Sequence, residues 1–157
     1  MQTGGAALHR RGRDYRMNAR VVYYSATGNT RKVADAIAGA VGLEASTIDA
    51  YADAPVDLLF LGAAVYATHD HGLHAGMKAF IAALDPAKVG RVALFSTGFV
   101  HSEAIAMMRA LLERRGIPVA EKSFFCLGRF ALFNLGRPNA KDLAAAADFA
   151  RGLIARP

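Results

Sequence analysis

The chain is poor in the residues that would tie it to an oxidising compartment or to a membrane. Its 157 residues include a single cysteine, Cys126, and no tryptophan. One cysteine excludes an internal disulfide and is typical of a reducing compartment, so we expect a cytoplasmic protein. No apolar run reaches the roughly 18 residues of a membrane-spanning helix, so we expect no membrane insertion.

The charge of the chain is unevenly placed. Residues 1–16 hold four of the 19 basic residues and one of the 13 acidic ones. They lack a hydrophobic period and the apolar core of a signal peptide. We therefore expect 1–16 to be a disordered extension and 17–157 to be one domain. Because half of the formal charge of +6 lies in that extension, we expect no nucleic-acid partner.

Short apolar runs alternate with helical periodicity over the rest of the chain. The pattern predicts strands at 21–24, 44–48, 57–62, 91–96 and within 117–127. It predicts helices at 30–41, 73–84, 102–115 and from 138 to about 154. Such alternation predicts an α/β fold in which a doubly wound sheet of five parallel strands, in the order 2-1-3-4-5, lies between two helical layers. The loops after strands one, three and four then converge at one edge of the sheet.

The segment SATGNT, residues 25–30, stands between the first strand and the first helix. The backbone N–H groups of a first helical turn have no intrahelical partners, and the helix dipole adds partial positive charge there. Four side chains of the segment add neutral donors, and Gly28 lets the backbone approach a ligand closely. These four are Ser25, Thr27, Asn29 and Thr30. The segment predicts an anion-binding site, with an ordinary capped turn between strand and helix as the alternative.

Other proteins with a phosphate loop or with this fold fit the sequence less well. The segment lacks the Gly-Lys-Ser/Thr ending of a nucleotide hydrolase, the further glycines of a dinucleotide fingerprint and the cysteine of a phosphatase loop. A response-regulator receiver domain needs an acidic pair after strand one and an aspartate after strand three. Tyr24 and Ser25 stand at the first position, and 62–64 read Gly-Ala-Ala at the second.

The segment resembles the phosphate-binding loop of flavodoxins, whose pattern is Ser/Thr-x-Thr-Gly-x-Thr. Ser25, Thr27, Gly28 and Thr30 match that pattern. Three further segments resemble bacterial flavodoxin family proteins in the same order. They are LGAAVYATHDH after strand three, FSTGF at the exit of strand four, and CLGRF followed by GRPNAKDLAAAADFA. The resemblance implies a flavodoxin-like fold that binds FMN.

The resemblance also implies which residues surround the flavin. The phosphate would lie on residues 25–30, and the ring would lie between the second and third loops. Tyr66 is the candidate for one face of the ring and Phe99 for the other, although either side chain could simply pack within its loop. The implied cofactor-binding residues are Ser25, Ala26, Thr27, Gly28, Asn29, Thr30, Ala64, Val65, Tyr66, Ala67, Thr97, Gly98 and Phe99.

Three histidines after strand three form the pattern His-x-His-x-x-His. His69, His71 and His74 are compatible with a metal site, because imidazole suits zinc or iron. Asp70 is the one acidic residue beside them, so we expect no metal and favour solvent-facing polarity at the flavin rim. From there one of the histidines could donate a proton or a hydrogen bond to reduced flavin or to a substrate. Cys126 is interpreted as a small buried apolar residue.

The resemblance implies a redox protein that passes electrons through FMN to or from a partner protein or a small-molecule acceptor. No residue is needed as a covalent catalyst. One alternative is an FMN-dependent oxidoreductase for a quinone or tetrapyrrole-like substrate. Flavodoxin-like protoporphyrinogen oxidases are of this kind, but the chain lacks the long insertion expected of them. The other alternative is a flavodoxin-fold binding module without flavin.

Overall fold

Five parallel strands form the central sheet of the protein. The computed structural model describes residues 16–66, 72–101 and 103–155. The strands in this part of the chain are β1 (Ala19–Tyr23), β2 (Ala45–Thr47), β3 (Val56–Gly62), β4 (Val65–Tyr66), β5 (Gly72–Leu73), β6 (Val89–Gly98) and β7 (Phe124–Leu127). The central sheet has the order β2-β1-β3-β6-β7, which confirms the predicted order. β4 and β5 form a separate antiparallel hairpin.

Helices cover both faces of the central sheet. They are α1 (Asn29–Ala40), α2 (Ala75–Ala83), α3 (Ala104–Arg114) and α4 (Ala140–Ile154). α1 and α4 pack together on one face, and α2 and α3 pack together on the other. The predicted three-layer α/β/α architecture is therefore confirmed.

The central strands are apolar along their length because both of their faces are covered. In β3, Leu59 and Leu61 belong to the core layer under α2 and α3. Leu58 and Phe60 belong to the layer under α1 and α4, and all four side chains are buried. This two-sided burial explains why the sequence of β3 lacks the apolar and polar alternation of a half-exposed strand.

Tertiary pairing explains two of the differences between the observed and the predicted element boundaries. β6 continues to Gly98, beyond the predicted end at 96, because Thr97 and Gly98 pair with β7. α2 begins at Ala75 rather than at 73, because Gly72–Leu73 pairs with β4 instead. The local sequence favours helix at 73, but the strand pairing prevails there.

The start of α4 is set by the residues that flank it. α4 begins at Ala140 rather than at 138, because the Asn139 side chain accepts the backbone N–H of Asp142 at 2.9 Å. The Asp142 carboxylate accepts the N–H of Asn139 in return at 2.8 Å, which completes a capping box. α3 begins at Ala104 rather than at the predicted 102; Ser102 lies outside the described residues, and Glu103 directly precedes the helix.

Replacing Gly62 by alanine tests the packing between β3 and β6. A Cβ at Gly62 would overlap the ring of Phe95, which is fully buried and cannot move aside. We expect Gly62→Ala to lower the free energy of unfolding by about 1–3 kcal/mol in urea titrations. Gly39→Ala is the control: that position on α1 is exposed with open space around it, so the change should be stabilising by up to about 1 kcal/mol. Equal stabilities for the two variants would contradict the packing.

Candidate functional site

Four loops meet at the carboxyl edge of the central sheet, where β1, β3, β6 and β7 end. Backbone hydrogen bonds join the last two exits, since the N–H of Gly128 donates to the carbonyl of Gly98 at 2.9 Å. Three of these loops were predicted to form the site. The fourth, residues 128–139 between β7 and α4, is called the β7–α4 loop below.

The first loop leaves the start of α1 open. Gly28 adopts a left-handed backbone conformation (φ 90°), and a Cβ built on it would meet no atom within 4 Å. Its N–H donates to the hydroxyl oxygen of Ser25 at 3.0 Å, which closes the loop into a tight turn. No side chain caps α1, and no acidic residue stands in its first turn. Among the described residues, the N–H groups at this helix start therefore have neither a side-chain cap nor an acidic residue of the same turn to compete for them.

Two threonines of the predicted site turn towards the interior and bond each other. Thr30 is 1% exposed, and its hydroxyl lies 2.9 Å from the hydroxyl of Thr97 at the end of β6. This buried bond ties the first turn of α1 to β6. In contrast, the side chain of Thr27 is exposed, and its hydroxyl oxygen accepts from the Asn29 amide at 3.3 Å. Its own O–H hydrogen remains for another acceptor.

Asn29 connects the first loop to the β7–α4 loop. Its side-chain amide donates to the carbonyl oxygen of Arg129 at 2.9 Å, across 100 positions of sequence. The contact requires glycine at 128, because a Cβ there would lie 2.8 Å from the Asn29 amide nitrogen. Sequence reasoning assigned no position in the site to Gly128. The Cys-x-Gly pattern of the resemblance was the signal that could have indicated it.

Asn134 holds the β7–α4 loop against the exit of β6. Its amide nitrogen donates to the carbonyl oxygens of Phe99 at 2.9 Å and of Gly128 at 3.2 Å. Its φ of 52° is left-handed, a conformation that asparagine adopts more readily than most residues. Both the side chain and the backbone of Asn134 therefore contribute to the shape of the loop.

An aromatic cluster lies beside this clamp. The ring centroid of Phe99 is 5.8 Å from that of Phe130 and 5.3 Å from that of Phe133. Phe99 is 46% exposed, so part of its ring is open to a ligand. The structure thus brings one predicted flavin-facing residue together with Phe130 and Phe133 of the β7–α4 loop.

An ion pair anchors the far end of the β7–α4 loop. The guanidinium of Arg137 donates to both carboxylate oxygens of Asp142, at 2.5 and 2.7 Å. Burial raises the pKa of the Asp142 carboxyl, but the hydrogen bonds from Arg137 and from the backbone of Asn139 outweigh that effect. The pKa of Asp142 therefore lies below its usual value.

The second loop is described in part. Ala64, between β3 and β4, is buried, and Val65 at the start of β4 is half-buried. The backbone of Tyr66 pairs with Gly72. Ala67 lies outside the described residues, as do His69 and His71, so their predicted roles remain predictions.

His74 caps α2 and stacks on the first strand exit. Its Nδ1 atom accepts the N–H of Gly76 at 3.0 Å, so the proton of the neutral ring is on Nε2. The ring lies 4.0 Å from the ring of Tyr24 at an interplanar angle of 14°. Within the described ranges no three histidine, cysteine or acidic side chains are placed to hold a metal ion. His74 therefore has a structural role in the start of α2.

A surface recess of about 250 Å³ lies away from these loops. It is bordered by the beginning of β1, by β2 and by the segment from Ala50 to Ala52. None of the predicted site residues lines it, and its position near the amino end of β1 is opposite to the edge at which ligands bind in doubly wound sheets. The carboxyl edge is therefore the candidate site.

Solved structures similar to this chain include flavodoxins and a larger flavodiiron protein. A flavodoxin from the domain Archaea aligns with a TM-score of 0.72 and 18% identity, over 89% of this chain and 98% of its own. Flavodoxin 1 from Bacillus cereus aligns with a TM-score of 0.68 and 20% identity, over 88% and 98%. A flavodiiron core from Synechocystis sp. aligns with a TM-score of 0.65 and 17% identity, over 90% of this chain and 37% of its own.

The likeness to these structures establishes the fold. No protein-family model and no curated protein matches the sequence. At identities of 17–20%, what the aligned chains share is their architecture over nearly the whole of this chain. The protein therefore has the flavodoxin-like fold, as the sequence motifs implied.

Truncating Asn134 tests whether it holds the β7–α4 loop. Asn134→Gly keeps a residue that tolerates positive φ but removes the amide, and Asn134→Asp keeps the size but removes the donor. We expect each change to lower the free energy of unfolding by about 1–2 kcal/mol and to speed proteolysis within the loop. Urea titration and limited proteolysis measure the two effects. Parent-like behaviour of both variants would show that the clamp is not formed.

The thiol of Cys126 is expected to be unreactive. It is buried at the end of β7, and burial raises its pKa to about 12, with the nearby Asp142 carboxylate adding to the rise. Because the thiolate is the reactive form, the native protein at pH 8 should react with a disulfide reagent at least about a hundredfold more slowly than the urea-unfolded protein. Native and unfolded rates within a factor of about ten of each other would instead support a redox role for this cysteine.

Proposed function

We propose that the protein binds FMN at the carboxyl edge of its sheet and transfers electrons through it to or from a partner protein or a small-molecule acceptor. The open start of α1, with left-handed Gly28 before it, is the observation that carries the proposal. Support also comes from the flavodoxin-like fold, because the named structural neighbours include flavodoxins.

The residues of the first loop fit a phosphate group. Asn29, Thr30 and Arg31 begin α1 without a side-chain cap, so their backbone N–H groups can donate to phosphate oxygens. The exposed Thr27 hydroxyl adds a side-chain donor. Lys32, exposed in the same turn, contributes positive potential without direct contact.

The third loop and the β7–α4 loop fit an apolar ring system. A flavin ring needs an apolar or aromatic surface on its faces and backbone groups along its edge. Phe99 offers a partly exposed ring beside Gly98, and the clamp from Asn134 holds the Phe99 backbone in place. Tyr66 would cover the second face, and the backbone of Ala64 and Val65 would line the edge.

FMN, when bound, supplies one- and two-electron transfer, which none of the side chains described at this edge provides by itself. The chain would bind the phosphate by neutral donors, orient the ring by contact with Phe99 and limit the access of water to it. The buried Thr30–Thr97 bond and the Asn134 clamp would keep these contacts in place between turnovers.

A comparison of FMN with riboflavin tests the proposal, because riboflavin lacks the phosphate. We expect purified protein to retain flavin absorption through desalting and to bind FMN more tightly than riboflavin. Thr27→Ala should weaken FMN binding by about 1–3 kcal/mol in fluorescence titrations and leave riboflavin binding unchanged, because only the phosphate contact is lost. Thr27→Ser, which keeps the hydroxyl, is the matched control.

Two outcomes would contradict this assignment. Equal losses of affinity for FMN and for riboflavin in Thr27→Ala would show that the phosphate does not bind at the first loop. A protein that takes up neither flavin would overturn the proposal and favour a binding module without flavin.

A further inference from the structure

Four large apolar side chains project from the β7–α4 loop into solvent. Phe130, Leu132, Phe133 and Leu135 are 52%, 82%, 59% and 62% exposed, and we call them the apolar tip. Contiguous exposed apolar side chains of this size usually mark a surface that another apolar phase covers. The apolar tip adjoins the candidate flavin site through Phe99 but extends beyond it.

The backbone N–H and carbonyl groups of Phe130 and Phe133 are hydrogen-bonded to each other. The N–H of Phe130 donates to the carbonyl of Phe133 at 3.1 Å, and the N–H of Phe133 donates to the carbonyl of Phe130 at 2.7 Å. The turn between them places Ala131 at a φ of 50°. Because these four backbone groups are paired within the turn, they need no water when the tip enters an apolar medium.

The chain around the apolar tip is basic. Residues 128–141, which lead from β7 into α4, contain three basic residues and no acidic one. Arg137 is engaged by Asp142, whereas Arg129 is exposed and directly precedes the tip. In the described part of the chain Arg129 forms no ion pair, and its side chain donates to the carbonyl of Ala131 at 3.5 Å. The tip thus combines apolar side chains with an uncompensated positive charge.

We infer that the apolar tip docks on an anionic lipid surface, with its side chains in the acyl boundary and Arg129 at the lipid headgroups. Basic residues beside exposed Phe and Leu are the features by which peripheral proteins bind such surfaces. Among the described helices, none is long and apolar enough to cross a membrane.

A lipid surface fits the apolar tip better than a protein partner does. The strongest contacts in protein interfaces come from Trp, Tyr and Arg that bond polar groups within well-packed pockets, and leucine is under-represented among them. The segment from Phe130 to Phe133 has no polar side chain, and its most exposed residue is Leu132 at the turn. Such a projecting tip presents no polar side chain to a rigid protein partner, but its apolar side chains can enter a fluid apolar layer.

The absence of tryptophan makes a direct test possible, because Leu132→Trp places the sole tryptophan of the full chain at the tip. The probe is phosphatidylcholine vesicles with or without phosphatidylglycerol, added to flavin-free protein. We expect co-sedimentation with the anionic vesicles and a blue shift of the tryptophan emission. An unshifted emission with bound vesicles would overturn the inference, because the arginines of residues 1–16 could then account for the binding.

Variants of the apolar tip separate its contribution from that of other charges. Leu132→Ser with Phe133→Ser should lower the vesicle partition coefficient at least about tenfold, whereas Leu132→Phe should preserve it. Arg129→Gln should lower the partition coefficient about fivefold on anionic vesicles and leave it unchanged on vesicles without phosphatidylglycerol. The control is Lys122→Gln, an exposed charge that precedes β7 at the opposite edge of the sheet and should have no effect.

Two further results would overturn the inference. One is equal partitioning of the parent and the double serine variant. The other is a blue shift that rises with protein concentration in the absence of vesicles, which would identify a second copy of the chain as the occupant. Thermal unfolding of each variant verifies that it is folded. Because flavin-free protein is used, the outcome does not depend on FMN binding.

Discussion

The parallel pairing of β3 with β1 and β6 is the constraint on which the rest of the structure depends. Gly62 at the end of β3 pairs with Tyr23 on one side and with Phe95 on the other, so the three strands reach the same edge in register. The close approach of β3 and β6 needs the absent side chain of Gly62, because the ring of Phe95 occupies that space. The convergence of the loops is therefore a consequence of main-chain pairing.

Hydrogen bonds between the loops then fix their positions relative to one another. The Thr30–Thr97 bond joins the first loop to the third, Asn29 joins the first to the fourth, and Asn134 joins the third to the fourth. In the part of the chain that the structure describes, no buried side-chain nitrogen or oxygen lacks a partner. Since a buried polar group without a partner is costly, these links favour one arrangement of the loops over others.

Much of this architecture could be predicted from local pattern, and the rest could not, for a physical reason. The apolar runs of the strands and the motif of residues 25–30 are local signals, and they led to the correct sheet order and fold. The β4–β5 hairpin and the extension of β6 to Gly98 depend on partners that local sequence does not specify. The same holds for the site: the partner of Asn29 lies 100 residues away, so the Cys-x-Gly pattern by itself could not show that Gly128 makes room for the Asn29 amide. The flavin-binding roles of the thirteen assigned residues remain predictions.

The polar and apolar parts of the carboxyl edge are separated, and this separation would determine the orientation of a bound flavin. Neutral donors and the open helix start lie at the first loop, whereas the aromatic cluster and the apolar tip lie at the β7–α4 loop. A flavin with its phosphate at α1 would place its ring towards Phe99, because the ring is the apolar end of the cofactor. Phe99 contacts both Phe130 and Phe133, so the ring would adjoin the surface that the tip presents.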